Sequence, residues 1–308
     1  MKKYSLAVGA AVAACIISGA AAAAVITLPQ SALIPSTDYY TDRIGGGLGT
    51  VMVTTGGGNF ANVGAPDGRN DDGYRGPIDL TTFAGFSPGF TFFGVNNPQN
   101  FYINNNGNVS FGSGIAAFIP DGPQGAPQPI ISPFFADVDT RNPASGVVYY
   151  RNSAPGEIII TWDQVGYFDQ QADKLDSFQL VLRDPVVYNG GVMPVGEEAI
   201  GLFWKTMQWE IGDFNTGQIP AAVGFGNGSG DSVVLEGSTT AGIAAIVQNH
   251  SLWVTADFTP ICGVPGEPPC PAGPVPEIDA LSGNGAAAFL AGVLVLASER
   301  RRRPRVDT

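Results

Sequence analysis

The sequence predicts an all-β fold, a single β-sandwich-like domain, on the basis of three observations. The 308 residues include 42 glycines and 24 prolines, about a fifth of the chain where roughly 12% is usual. Hydrophobic residues make up 44% of the chain and aromatic residues 10%, which is enough to bury a core. Between the termini, short runs of β-branched and aromatic residues alternate with turn residues, and no stretch keeps a helical period.

The first 24 residues have the features of an export signal. Two lysines precede an apolar stretch from Leu6 to Ile17, and the small residues from Gly19 to Ala24 offer Ala-x-Ala cleavage sites. The sequence therefore predicts a secretory signal peptide over residues 1–24. The alternatives are lipidation at Cys15 and an uncleaved anchor, which an apolar core of only about a dozen residues disfavours.

Residues 25–82 form a Gly/Asp-rich segment that is expected to pack on the β domain of residues 83–258. Within it, residues 67–73 read Asp-Gly-Arg-Asn-Asp-Asp-Gly and carry many side-chain oxygens. Arg69 stands at the third position, where an EF-hand loop needs Asp or Asn, and no glutamate stands at the twelfth. We therefore interpret residues 67–73 as a solvated turn.

The strands of the β domain are predicted from short apolar runs. Residues 104–108 read Asn-Asn-Asn-Gly-Asn and tolerate positive φ, so they predict a hairpin turn between Phe101–Ile103 and Val109–Phe111. Residues 158–160 are all isoleucine, which suits a central strand. The further predicted strands are Ile130–Ile131, Phe134–Val138, Val147–Tyr150, Ile158–Trp162, Phe178–Leu182, Ile200–Trp204, Ala221–Phe225, Val233–Leu235 and Leu252–Phe258.

A proline-rich linker is predicted over residues 259–274. Cys262 and Cys270 lie in it and are the only cysteines that remain after signal cleavage. In an exported chain this pair predicts a disulfide. A metal site made of two cysteines alone is the weaker alternative, because structural zinc takes four ligands.

Residues 275–308 combine three features in order. An apolar helix over residues 280–297 would be about 27 Å long, close to the ~30 Å hydrocarbon core of a bilayer. Arginines 300–303 follow at once and would stay on the cytoplasmic side, which leaves the rest of the chain outside. The helix is preceded by a short motif of Val275, Pro276, Glu277, Ile278 and Asp279.

This tail resembles the PEP-CTERM class of bacterial sorting signals in its Val-Pro-Glu-Ile-Asp variant. The resemblance implies that the helix anchors the chain in the membrane transiently, and that an exosortase-like membrane transpeptidase then cuts near the motif. Ile278 stands where the commonest form has a second proline. The alternative is a plain membrane anchor that is never cut.

Five ordered blocks stand in the middle of the chain. They are residues 102–111, 131–141, 146–151, 160–167 and 176–182. Together they resemble the NIDO domain, an extracellular module of nidogen, tectorin and certain membrane mucins, over about residues 101–258. The resemblance implies an adhesion or matrix role at the cell surface or outside the cell, and no catalytic activity is assigned to this domain.

Charge and composition exclude several functions. The net charge is −12 for the whole chain and −15 once residues 1–24 and 275–308 are removed, which argues against nucleic acid as a partner. With His250 as the one histidine, a multi-histidine metal site is excluded. A hydrolase triad of His250, Ser251 and Asp257 is disfavoured, because adjacent strand residues point to opposite faces and no Gly-x-Ser-x-Gly motif is present.

Asp137 and Asp139 stand two apart in a predicted strand and therefore share a face. With Asp163 they could supply oxygen ligands to Ca²⁺. The alternative is that these carboxylates cap turns and pair with Arg141 or Arg151. We expect no other cofactor.

The sequence as a whole favours a non-enzymatic, exported adhesion or matrix protein. Its partners would be an extracellular polysaccharide or a surface protein, besides the processing enzyme. A calcium-dependent carbohydrate-binding module is the first alternative. A polysaccharide-acting hydrolase is the second, because two distant carboxylates can form such a site.

Overall fold

Residues 23–258 fold mainly into β-strands in the computed structural model, which describes this range apart from residues 88, 98, 213–216 and 218. The predicted all-β fold is confirmed. Two five-residue helices, α1 (Tyr40–Ile44) and α2 (Ile243–Val247), are the α-helices of the described part. The strands are β1 Val25–Leu28, β2 Ile34–Pro35, β3 Thr50–Val51, β4 Gly56–Gly57, β5 Gly73–Ile78, β6 Phe90–Phe92, β7 Val95–Asn97, β8 Phe101–Asn104, β9 Asn108–Phe111, β10 Pro129–Phe135, β11 Val148–Ala154, β12 Glu157–Tyr167, β13 Gln171–Arg183, β14 Ile200–Thr206, β15 Ala222–Asn227, β16 Ser232–Leu235 and β17 His250–Val254.

Two large sheets make the sandwich. The first has eight strands in the order β1-β16-β15-β10-β9-β8-β5-β4, and the second has seven in the order β2-β17-β14-β13-β12-β11-β3. A separate hairpin pairs β6 with β7. Neighbouring strands are antiparallel except for β1, which runs parallel to β16. The predicted hairpin is confirmed, since β8 and β9 pair antiparallel across residues 105–107.

Alternation along β12 and β13 shows how the sequence builds the core. Every second side chain faces the opposite sheet. On β12 these are Ile158, Ile160 and Trp162, and they belong to one buried cluster with side chains of the first sheet such as Phe134. Trp162 stacks on Phe178 of β13 at a centroid distance of 5.0 Å.

The outer face of the second sheet is also buried at its centre. Ile159 of β12 packs in a second cluster with Tyr40, Val181 and Phe203. Tyr40 belongs to α1, so this short helix covers a sheet face that would otherwise meet solvent. The expectation of a central strand at residues 158–160 is confirmed, because all three side chains are at most 1% exposed.

The segment of residues 25–82 contributes strands to both sheets. β1 pairs with β16 and β5 with β8 in the first sheet, and β2 pairs with β17 and β3 with β11 in the second. The sequence does not predict these strands, because most are two to four residues long. The longer strand β5 contains Gly76 and Pro77, which are uncommon inside strands.

Two predicted strands end earlier than expected. The run Leu252–Phe258 belongs to β17, which ends at Val254. The run Phe134–Val138 belongs to β10, but β10 ends at Phe135. Beyond it, the backbone N–H of Val138 donates to the carbonyl of Ala136 at 2.9 Å, which turns the chain out of the strand. The premise that Asp137 and Asp139 share a strand face is therefore wrong.

The predicted terminal features lie outside the described residues. These are the signal peptide, the linker with Cys262 and Cys270, and the sorting segment of residues 275–308. Within residues 23–258, no helix has the length and apolar character needed to cross a bilayer.

Candidate functional site

Three carboxylates converge beside the β8–β9 turn. Asp71, Asp72 and Asp137 each offer an oxygen, and these oxygens all lie within 4.8 Å of one another. We call these three residues the acidic cluster. Asp71 is 1% exposed and Asp137 4% exposed, whereas Asp72 is half-buried. Since a buried carboxylate is costly without compensation, the cluster is the candidate functional site of the described residues.

The loop before β5 carries two of the three carboxylates inward. Asn70 is fully buried, and its side chain closes the loop by donating to the carbonyl of Gly68 and accepting from the backbone N–H of Gly73. The backbone N–H of Asp71 donates to the carbonyl of Phe60 at 3.0 Å. The interpretation of residues 67–73 as a solvated turn is therefore wrong for Asn70 and Asp71.

The asparagine turn between β8 and β9 connects both sides of the acidic cluster. Asn106 Nδ2 donates to Asp72 Oδ1 at 2.8 Å, and Asn106 Oδ1 accepts from the backbone N–H of Val138 at 3.0 Å. Asn105 Nδ2 donates to the carbonyl of Val138, and the backbone N–H of Asn105 donates to the carbonyl of Gly73. The turn thus fixes the position of Asp72 relative to Asp137.

The core positions this turn in its own right. Trp162 Nε1 donates to the carbonyl of Asn105 at 2.9 Å, and the backbone N–H of Phe134 donates to the carbonyl of Gly107 at 3.2 Å. A Cβ atom added to Gly107 would lie 1.9 Å from the carbonyl oxygen of Phe134. The turn can therefore approach β10 this closely only with glycine at position 107.

One arginine borders the acidic cluster. Arg141 Nη2 lies 2.8 Å from Asp71, 2.6 Å from Asp139 and 3.0 Å from Asp169. Burial, helped by the nearby charges of Asp139 and Asp72, raises the pKa of Asp71 to about 8 despite the opposing effect of Arg141. Burial also raises the pKa of Asp72, against the hydrogen bond from Asn106. The carboxylates thus outnumber the cation that faces them.

The three predicted calcium ligands contact different groups in the structure. Asp137 joins the acidic cluster. Asp139 is engaged by Arg141 through Nε and Nη2 and by the backbone N–H of Gln170, as in the alternative of pairing with Arg141. Asp163 Oδ1 accepts a hydrogen bond from Tyr39 at 2.8 Å. Calcium binding by Asp137, Asp139 and Asp163 stays a prediction.

His250 and Ser251 bond to different partners. On β17, His250 Nδ1 lies 2.8 Å from the carbonyl of Gln248, while Ser251 Oγ donates to the carbonyl of Ile34 at 3.5 Å.

A cleft of about 460 Å³ beside α2 is lined by Trp209 and Glu210 among others. Both Glu210 carboxylate oxygens accept hydrogen bonds from backbone N–H groups at the start of α2. Glu210 therefore stabilises the beginning of this helix.

The described residues form a two-sheet β-sandwich module that carries the acidic cluster beside the β8–β9 turn. The chain belongs to the nidogen-like domain family, which matches residues 99–158 and 153–255, together just over half of the 308 residues. Residues 275–305 match the VPEID-CTERM protein sorting domain. Both resemblances drawn from the sequence are thereby confirmed.

A curated animal protein is also similar to the chain. Nidogen of Drosophila melanogaster is 28% identical over 187 residues, which cover 51% of this chain and 13% of that nidogen. The chain therefore spans only a small part of its relative's length. No solved structure matches the chain at a comparable level.

Proposed function

We propose that this protein is a non-enzymatic adhesion or matrix protein, exported to the cell surface or the extracellular space. The observation that carries the proposal is the nidogen-like match, which includes β8 to β17 and hence strands of both sheets. The sorting-domain match supports export. The partner would be an extracellular polysaccharide or a surface protein, held by the broad surface of the sandwich.

The proposal predicts binding without turnover. We expect the mature protein to co-sediment with isolated cell-surface polysaccharide or envelope fragments and to release no reducing ends during prolonged incubation. Heat-unfolded protein, which has the same sequence but no folded surface, is the control and should stay in the supernatant. Release of reducing ends that a single carboxylate substitution abolishes would show a hydrolase instead.

The sorting segment predicts a processing step, which we propose is carried out by an exosortase-like transpeptidase near Val275–Asp279. Intact-mass analysis of protein released from the surface should give a chain that begins near Val25 and lacks residues 300–308. Substituting Pro276 and Glu277 by alanine should leave the precursor uncut. Native surface protein that still carries residues 300–308 would indicate a permanent anchor.

A further inference from the structure

The charge balance around the acidic cluster favours the binding of a further cation. Arg141 is shared by three carboxylates, those of Asp71, Asp139 and Asp169. The other nearby arginine, Arg69, donates its guanidinium hydrogens to backbone carbonyls of residues 140–145. Concentrating buried negative charge in this way is unfavourable unless a cation offsets it or a carboxyl holds a proton, as the raised pKa of Asp71 allows.

Two buried oxygens give a second, independent indication of a ligand. Asp71 Oδ1 and Asn105 Oδ1 accept no hydrogen bond from any described residue, although Asp71 is 1% exposed and Asn105 is 0% exposed. Asn105 lies beside the neighbours of Asp72 and Asp137, because its side-chain Nδ2 donates to the carbonyl of Val138 and its backbone N–H donates to the carbonyl of Gly73. Buried oxygens in native proteins are nearly always satisfied, and a metal ion would satisfy both.

The geometry and chemistry of the donors fit calcium. All candidate ligands are carboxylate or amide oxygens, which hard cations prefer. Two ligands on opposite sides of Ca²⁺, each at about 2.4 Å, are about 4.8 Å apart, whereas around Mg²⁺ they are about 4.2 Å apart. The cluster oxygens lie within 4.8 Å of one another, a separation that allows them to share one cation the size of Ca²⁺.

We propose that Asp71, Asp72 and Asp137 bind one Ca²⁺ ion, with the amide oxygen of Asn105 as a further ligand. The ion would join the loop before β5, the β8–β9 turn and the segment after β10, which are distant in sequence. It would therefore stabilise the end of the sandwich where these segments meet. This site keeps Asp137 from the set predicted by sequence and replaces Asp139 and Asp163 with the two aspartates of the buried loop.

The test uses the purified full-length protein and Ca²⁺ as the probe. After gel filtration in buffer with micromolar Ca²⁺, elemental analysis should find about one calcium per chain, and chelation should lower the melting temperature by several degrees. Mg²⁺ should restore less of the loss, and NaCl at equal ionic strength should restore none. A calcium content near zero, or equal recovery in all three salts, would overturn the proposal.

Three variants assign the ligands. Asp72→Asn changes the half-buried member of the cluster and should weaken Ca²⁺ binding at least tenfold in calorimetry. Asp169→Asn, whose side chain is 60% exposed, removes a neighbouring charge that is not a ligand and should change the affinity less than threefold. Asp163→Asn should bind like the native chain. Unaltered binding by Asp72→Asn, or loss of binding by Asp163→Asn, would refute this set of ligands, and far-UV circular dichroism without Ca²⁺ checks that each variant is folded.

Discussion

Replacing Arg183 with methionine is expected to lower the free energy of unfolding by about 3–5 kcal/mol. Arg183 is fully buried on β13, where Nε lies 2.9 Å from Glu157 and Nη1 lies 2.6 Å from Glu197. Burial lowers the pKa of Arg183, but the hydrogen bonds with Glu157 and Glu197 more than offset this, so its pKa is raised. Methionine fills much of the volume but leaves Glu157 buried without its cation.

Arg183 makes further contacts, so its replacement would remove more than its ion pairs. Nη2 donates to the hydroxyl of Tyr40 at 2.6 Å, and the guanidinium carbon lies 4.2 Å from the ring centroid of Tyr188 and 4.3 Å from that of Trp253. Tyr40 anchors α1 on the outer face of the second sheet. Losing Arg183 therefore loosens the helix that covers this face.

Two controls separate the buried charge from general loss of contacts. Arg183→Met combined with Glu157→Gln should be more stable than Arg183→Met alone, because the uncompensated carboxylate is gone. Lys205→Ala removes an exposed ion pair in which Lys205 Nζ lies 2.9 Å from Asp42. It should lower the free energy of unfolding by less than about 1 kcal/mol. Urea unfolding measures all three. A cost for Arg183→Met no larger than that for Lys205→Ala would contradict this account.

The sequence predicts the central strands of the second sheet well because their patterns are local. Ile158–Trp162 and Phe178–Leu182 are short runs rich in apolar residues, and the structure extends them to β12 and β13. It predicts the first strands poorly, since β2, β3 and β4 have two residues each and are fixed by pairing with distant partners. Helices of five residues, such as α1, are too short to show a period.

The sequence predicts only one residue of the candidate site, for a similar reason. Asp137 stands out in an acidic run, but the loop of Asp71 and Asp72 fails the EF-hand template and is therefore assigned to solvent. Nothing local shows that Asn106 will bond to both Asp72 and the backbone of Val138. The available signal is the run of three asparagines at 104–106, whose amides are too polar to bury without partners.

Replacing Gly107 with alanine is expected to lower the free energy of unfolding by about 2–5 kcal/mol, the sum of left-handed backbone strain and overpacking. Gly107 has φ +72°, and an added Cβ would meet the Phe134 carbonyl oxygen at 1.9 Å. That atom belongs to the backbone of β10 and has little freedom to move. The turn would have to shift away from β10, breaking the bond from Phe134 N–H to the Gly107 carbonyl.

Gly190→Ala is the matched control, because Gly190 has a similar φ of +66° but nothing within 4 Å of its added Cβ. It carries the backbone strain alone and should cost about 1–2 kcal/mol. The difference between the two variants in urea unfolding then measures the close approach of the asparagine turn to β10. Equal costs would mean that the turn can retreat from β10 freely, and that the positions of Asn105 and Asn106 beside the acidic cluster do not depend on this contact.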